Sequence, residues 1–255
     1  MPDKGSITLT IEEGVATVEF YHPKANSLPG TLLKELADAI REAGNHPDAR
    51  VIILKSRGEG AFCGGASFDE MSKISSLAEG KEYFMGFARV LNAMRNSPRF
   101  ILARVHGRVV GGGTGLVAAS DYIFAHRSAS VRLSELSLGI GPFVIAPALR
   151  NKMSMTAFSA LSIDAKHWYD ADWAVTNNLY SQVFDSIEKL DTALETLAAD
   201  LSKSNPDVMA ELRNLMWQST GHWKSTLEQR AEMSGKFATS EFTQNLIRDL
   251  KNTSN

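Results

Sequence analysis

Alternation is the first signal along the chain. Ile7, Leu9 and Ile11 alternate with Thr8 and Thr10, the period of a strand buried on one face. Glu12-Glu13-Gly14 reads as a turn and Val15–Phe20 as the partner strand of a hairpin. Prolines and a glycine break His22–Gly30 into a loop. Thr31–Ala43 then takes up the helical period, with Leu32, Leu33, Leu36, Ile40 and Ala43 on one face. Val51–Leu54 and Phe100–Val105 are continuous apolar runs, the pattern of strands buried on both faces. Each runs into a glycine-rich loop, and a helical pattern follows each loop. Phe68–Met71 follows the first, and a small-residue segment follows Thr114 and Gly115 in the second. Tyr83–Arg95 reads as a helix stopped before Pro98, and Tyr122–Ala125 as a third buried strand.

The second half changes character. Val131–Leu149 starts extended, carries Glu135 in an apolar setting, and is interrupted by Gly139, Gly141, Pro142 and Pro147. Helices are expected at Met153–Ser162, Ile187–Ser202, Trp223–Phe237 and Phe242–Leu250, with another opened by Asn205 as cap and Pro206 in the first turn. Strand, glycine loop and helix therefore occur twice before residue 120, which implies crossover connections and one α/β core. The one plausible division lies near residue 186, giving an α/β core over 1–185 and a helical tail over 186–255 for capping and oligomerisation.

Composition narrows the class. The chain has 255 residues, 44% of them apolar and 22% charged, as in a soluble globular protein. A net charge of −2 gives no electrostatic case for nucleic acid or an anionic membrane. No run reaches the roughly 18 apolar residues of a membrane span, and the polar N-terminal stretch has no secretory pattern. Cys63 is the only cysteine, so no internal disulfide can form. A cytoplasmic location is the expectation. The six histidines have no metal-ligand spacing.

The glycine loops carry the candidate chemistry. Ser56–Ser67 holds Gly58, Gly60, Gly64 and Gly65, and the later loop holds Gly107, Gly111, Gly112, Gly113 and Gly115. Glycines between strand and helix leave backbone N–H groups uncovered, suited to a phosphate or a developing oxyanion. Neither loop has the Gly-Lys-Ser/Thr of a P-loop or the Gly-x-Gly-x-x-Gly of a dinucleotide site. Several other residues read as structural: Asp69 and Glu70 as first-turn helix acids, Cys63 as small packing, His106 as a core histidine, and Asp121 as a hydrogen-bond partner for backbone. Met209, Met216 and Trp217 read as a core or subunit face.

Five segments in register resemble the crotonase, or enoyl-CoA hydratase/isomerase, family. They are His22–Leu28, Gly60–Met71, Val105–Ala125, Leu133–Pro142 and Phe237–Phe242, and with Asp164–Phe184 they span nearly the whole chain. The resemblance implies a spiral of β–β–α units with a helical C-terminal region, assembled as a homotrimer or hexamer. It implies an acyl-CoA thioester as substrate and no separate cofactor. By motif position the oxyanion-hole donors are the N–H groups of Ala66 and Gly112. The CoA and acyl contacts fall on Lys24, Ala25, Gly64, Phe68, Gly115 and Phe143.

One departure from the family pattern matters. Hydratases of the archetypal kind carry two glutamates. The second matches Glu135, but the first position holds Gly115. Together with Leu133-Ser134-Glu135 and the Pro142–Pro147 loop, this resembles the methylglutaconyl-CoA hydratase branch. The expected reaction is reversible addition of water across the 2,3 double bond of an enoyl-CoA, with Glu135 as acid and base. An enoyl-CoA isomerase, an acyl-CoA decarboxylase and a non-catalytic CoA-binding scaffold are the alternatives.

Overall fold

A computed structural model describes the backbone of residues 4–253. The chain opens with β1 (Ser6–Glu12) and β2 (Val15–Tyr21), then α1 (Gly30–Asn45), β3 (Val51–Ser56), α2 (Phe68–Met71) and α3 (Leu77–Asn96). It continues through β4 (Phe100–Val105), β5 (Val109–Val110), α4 (Gly112–Ala119), β6 (Tyr122–His126) and β7 (Val131–Arg132). After a short 3-10 turn at Leu136–Leu138 come α5 (Ala146–Lys152), α6 (Met155–Ile163), α7 (Ala171–Thr176) and β8 (Gln182–Phe184). The chain ends in α8 (Ile187–Ser202), α9 (Pro206–Trp217), α10 (Trp223–Ala238) and α11 (Glu241–Thr253).

The main sheet runs β1-β2-β3-β4-β6-β8. The hairpin pairs antiparallel with Ile7 opposite Phe20, and every later pair is parallel. A second, much shorter sheet lies beside it. β5 pairs with β7, and single bridges extend the ladder from Cys63 to Val109 and from Val131 to Tyr169, with a further bridge from Leu28 to Ala66. Each turn of chain thus places one strand in the long sheet, a few residues in the short one, and then a helix. That is the spiral expected from the sequence. Both glycine loops lie where the chain crosses from the long sheet into the short one.

The two-faced burial of β3 and β4 follows their apolar runs. Ile52, Leu54, Ile101 and Ala103 pack into the core that holds α1, α3 and α4. The alternate residues Val51, Ile53, Phe100 and Leu102 pack on Leu190, Leu194 and Ala198 of α8 and Met209 of α9. Leaving that face bare would expose a continuous apolar sheet surface. α8 therefore completes the layered core across the division expected near residue 186. α10 is equally integral: it lies along α3, and a methyl on Gly80 would sit 2.8 Å from the Gly235 Cα.

That contact explains why α3 starts six residues before the helical run read from Tyr83. Gly80 looks like a breaker in sequence but is the point of closest approach between the helices. Ser76 caps the helix through Glu79 N–H, while the Glu79 carboxylate reaches back to Ser75. At the start of α9, Asn205 accepts from the N–H groups of Asp207 and Val208, as expected of a cap before Pro206. Among the described residues no helix is long and apolar enough to cross a membrane.

Candidate active site

The glycine loops meet at a cavity of about 200 Å³ between the short sheet, α3, α10 and the loop after Glu135. Two glycines fix the geometry. Gly65 has φ of 84°, and a methyl on it would lie 2.8 Å from the Val110 carbonyl oxygen and 3.5 Å from the Gly112 nitrogen. Gly111 has φ of 52°, and a methyl on it would lie 2.9 Å from Glu135 Oε1. Only glycine lets the two loops and the carboxylate approach this closely.

The backbone around these glycines is tied down, but not at every donor. Leu28 N–H donates to Gly65 O, Gly64 N–H to Ala25 O, Val110 N–H to Cys63 O and Gly111 N–H to Arg132 O. Gly65 N–H donates to the Cys63 sulfur, itself buried with its thiol pushed up to about 12. Among the described residues the N–H groups of Ala66 and Gly112 have no acceptor, and both residues line the cavity. Gly112 also opens α4, where the helix dipole adds positive potential.

Glu135 sits at the start of the 3-10 turn, beside the second loop. The residue keeps some surface, but Oε2 is sealed from solvent and has no hydrogen-bond partner. Burial pushes the carboxyl up to about 7, against a smaller lowering from its own backbone N–H. The turn carrying it is latched from the far end of the chain. Thr243 Oγ1 on α11 donates to Gly139 O at 2.9 Å, closing the turn at its left-handed glycine.

The remaining predicted residues divide between the cavity and its rim. Gly64, Phe68 and Phe143 line the cavity. Phe143 also packs on Phe237 of α10, with ring centroids 5.7 Å apart. Lys24 and Ala25 lie outside the lining. Lys24 is exposed and ion-paired with Asp69, and Ala25 holds Gly64 through its carbonyl. Asn26 knits this loop together. Its amide donates to the carbonyls of Arg57 and Ala61, and its oxygen accepts from His22 N–H.

Gly115 is also outside the lining, fully buried in α4. A methyl there would meet Ile145 Cγ2 at 2.5 Å and Cβ at 2.9 Å, so Ile145 occupies the space a side chain at 115 would need. Ile145 itself lines the cavity. The sequence patterns do not mark it, nor do they mark Tyr83, Phe87 and Ser234, which also line the cavity. Tyr83 has a visible role, since its hydroxyl donates to Ser67 O and braces the first loop.

The residues read as structural can be placed too. Glu70 accepts from Gly30 N–H at the start of α1, so it joins two helices rather than simply meeting solvent. His106 is buried, with its imidazole lowered to about 4, chiefly by burial and then by Arg104. Met209 and Trp217 are buried, whereas Met216 is exposed. Among the described residues no group of three His, Cys, Asp or Glu could hold a metal ion.

A model of the enoyl-CoA hydratase/isomerase family matches residues 10–249. The chain belongs to that family. It is 26% identical to a Bacillus subtilis protein named "Probable enoyl-CoA hydratase", over 92% of each chain. It is 27% identical to a (7aS)-7a-methyl-1,5-dioxo-2,3,5,6,7,7a-hexahydro-1H-indene-carboxyl-CoA hydrolase of Rhodococcus jostii, over 80% of this chain and 78% of the relative. The fold matches the crystal structure of enoyl-CoA hydratase from Bacillus halodurans with a TM-score of 0.89. That match covers 95% of this chain and 99% of the other at 18% identity. The crotonase fold and the enoyl-CoA hydratase/isomerase membership expected from the five motifs are both met, and they mark the protein as a lyase-type enzyme.

Proposed function

We infer that the protein hydrates an enoyl-CoA reversibly, with Glu135 as the single acid and base. The observation that carries the reading is one cavity lined by a desolvated carboxyl with an unpartnered Oε2, beside two backbone N–H donors that have no acceptor among the described residues. In the hydration direction the Glu135 carboxylate takes a proton from water as the water oxygen bonds to Cβ. The double-bond electrons move onto the thioester oxygen, and the N–H groups of Ala66 and Gly112 hold the enolate. The carboxylic acid then returns the proton to Cα, and the carbonyl reforms. One donor of this kind is typically worth about 3–4 kcal/mol of transition-state stabilisation. A carboxyl titrating near 7 is suited to both taking and returning a proton at neutral pH.

CoA enters as part of the substrate, along the rim formed by Lys24, Ala25, Gly64 and Phe68, and no separate cofactor takes part. The acyl group lies on Phe143 and Ile145. A terminal carboxylate of the methylglutaconyl kind suits this wall poorly, because among the described residues lining it there is no Lys, Arg or His. Assembly as a homotrimer or hexamer is supported by the exposed apolar residues Val208, Leu212, Leu215 and Met216 on α9.

The test is loss of enoyl absorbance from crotonyl-CoA, wild type against Glu135→Gln. Hydration that depends on Glu135 supports the reading, and undiminished turnover in the variant sinks it. Conversion of a 3-enoyl-CoA without hydration points to an isomerase instead. Tight CoA binding without turnover of any acyl-CoA points to a scaffold.

A further inference from the structure

Glu135 Oε2 is not the only stranded oxygen among the residues that line the cavity. Several buried polar atoms lack a partner, but among the described residues only Glu135 Oε2 and Ser234 Oγ belong to residues that line the cavity. Ser234 lies on α10, one residue before the Gly235 contact with α3, and is 1% exposed. Hydroxyls elsewhere in the helices bond back to the preceding turn: Thr192 to Glu188 O, Thr196 to Thr192 O, and Ser225 on the same helix to His222 O. The Ser234 hydroxyl makes no such bond and has no water-facing surface. A buried hydroxyl without a partner is unfavourable, and alanine would pack there without that cost.

The surroundings say what the hydroxyl can be for. Much of the lining is apolar, Met71, Phe84, Phe87, Leu138, Val144 and Ile145 among it. The lining carries two other side-chain hydroxyls: that of Tyr83, which is spent on Ser67 O, and that of Ser134, next to Glu135 in sequence. With no cationic side chain in the described lining, the wall offers neutral hydrogen bonding and nothing to balance a charge.

We propose that Ser234 is a specificity residue that recognises a neutral oxygen, a ketone or a hydroxyl, carried on the acyl chain of the substrate. The proposal rests on the acyl-CoA reading of the same cavity. A plain alkyl chain leaves the hydroxyl stranded and a carboxylate would be desolvated without a counter-charge, so an oxo- or hydroxyacyl group is preferred over both.

The experiment is calorimetric binding of saturated acyl-CoAs, which cannot react. Hexanoyl-CoA is compared with its oxo counterparts bearing the ketone at C4 or C5, and with glutaryl-CoA. For wild type, one oxo isomer is expected to bind about tenfold tighter than hexanoyl-CoA, the scale of one neutral hydrogen bond, with glutaryl-CoA weakest. In Ser234→Ala the oxo-to-alkyl ratio falls to about 1, and Ser234→Thr, which keeps the hydroxyl, retains it. Melting temperatures confirm folding, and the alanine variant is expected to melt no lower than wild type. Acyl-CoAs that bind without an oxo preference, a preference that survives Ser234→Ala, or tightest binding by glutaryl-CoA each overturn the proposal while leaving the CoA reading intact. Acyl-CoAs that bind no better than free CoA overturn both.

Discussion

The protein buries two carboxyl groups and treats them in opposite ways. Asp121, in the turn between α4 and β6, is fully partnered. Its Oδ2 accepts from Ile101 N–H and Arg213 Nε, at 2.7 and 2.8 Å, and its Oδ1 accepts from Trp217 Nε1 at 2.7 Å. Arg213 in turn donates to the carbonyls of Met94, Arg95 and Ser97 at the end of α3. Glu135 has nothing comparable. Its Oε2 is unpartnered, and its proton affinity is raised by burial. A buried carboxyl with both oxygens engaged ties segments together, whereas one with an oxygen left unpartnered is held ready for something absent from the protein. Asp121 joins α9, α3 and β4 into one body, and Glu135 is the group the cavity is built around.

The largest effect expected from breaking that contrast is catalytic. Glu135→Gln should lower kcat for hydration by about 10⁴-fold, the upper end for one group doing both proton transfers, while an Asp121 or Arg213 variant keeps its turnover per folded molecule. A drop under tenfold at Glu135 would erase the distinction.

The next effect is on stability and has the opposite address. Arg213→Met leaves Asp121 buried without its cation and should cost about 3–5 kcal/mol in urea unfolding. A loss near zero would show that Asp121 is no better satisfied than Glu135.

Third, the two groups should differ in their response to pH. The folded-state pKa of Glu135, about 7, lies above its ordinary value of 4.5. Its contribution to stability is therefore fully present below pH 4.5 and is lost as pH rises through about 7. Glu135→Gln should match wild type in acid and exceed it above pH 7 by on the order of 3 kcal/mol. Urea midpoints across pH 5–8 test this, and parallel curves for the two proteins would contradict it.

The smallest effect concerns the position where a second carboxylate would stand. Gly115→Ala should destabilise by about 1–3 kcal/mol through overpacking against Ile145, and Ile145→Ala in that background should recover part of the loss. Thermal melts of the three proteins decide it.

How much of this was legible depended on the range of the interaction. The strands β1 to β4 and β6 and the glycine loops are local patterns, and sequence places them within a residue or two, whereas the Ala66 and Gly112 donors are named only through the family motifs. Asp121 is legible as a backbone partner because its contact with Ile101 belongs to neighbouring strands. Arg213, 92 positions further on, is not, since no local feature of α9 marks it as a partner. The plug at Gly115 illustrates the same limit. The missing carboxylate is visible in one dimension, but the Ile145 side chain that takes its place is known only once α4 and the loop before α5 are packed together. Ser234 has no sequence signal at all, because what singles it out is a bond it fails to make.

The Gly80–Gly235 contact has a reach beyond holding two helices together. Tyr83, Phe84 and Phe87 of α3 and Ser234 of α10 all line the cavity, while neither glycine belongs to the lining. The spacing of the wall is therefore set by two missing methyl groups that no ligand touches. A single alanine at either site would push α10 outward, and the size of acyl group admitted would change with every lining residue intact. Substrate range in this scaffold can drift through its frame, leaving the chemistry at Glu135 untouched.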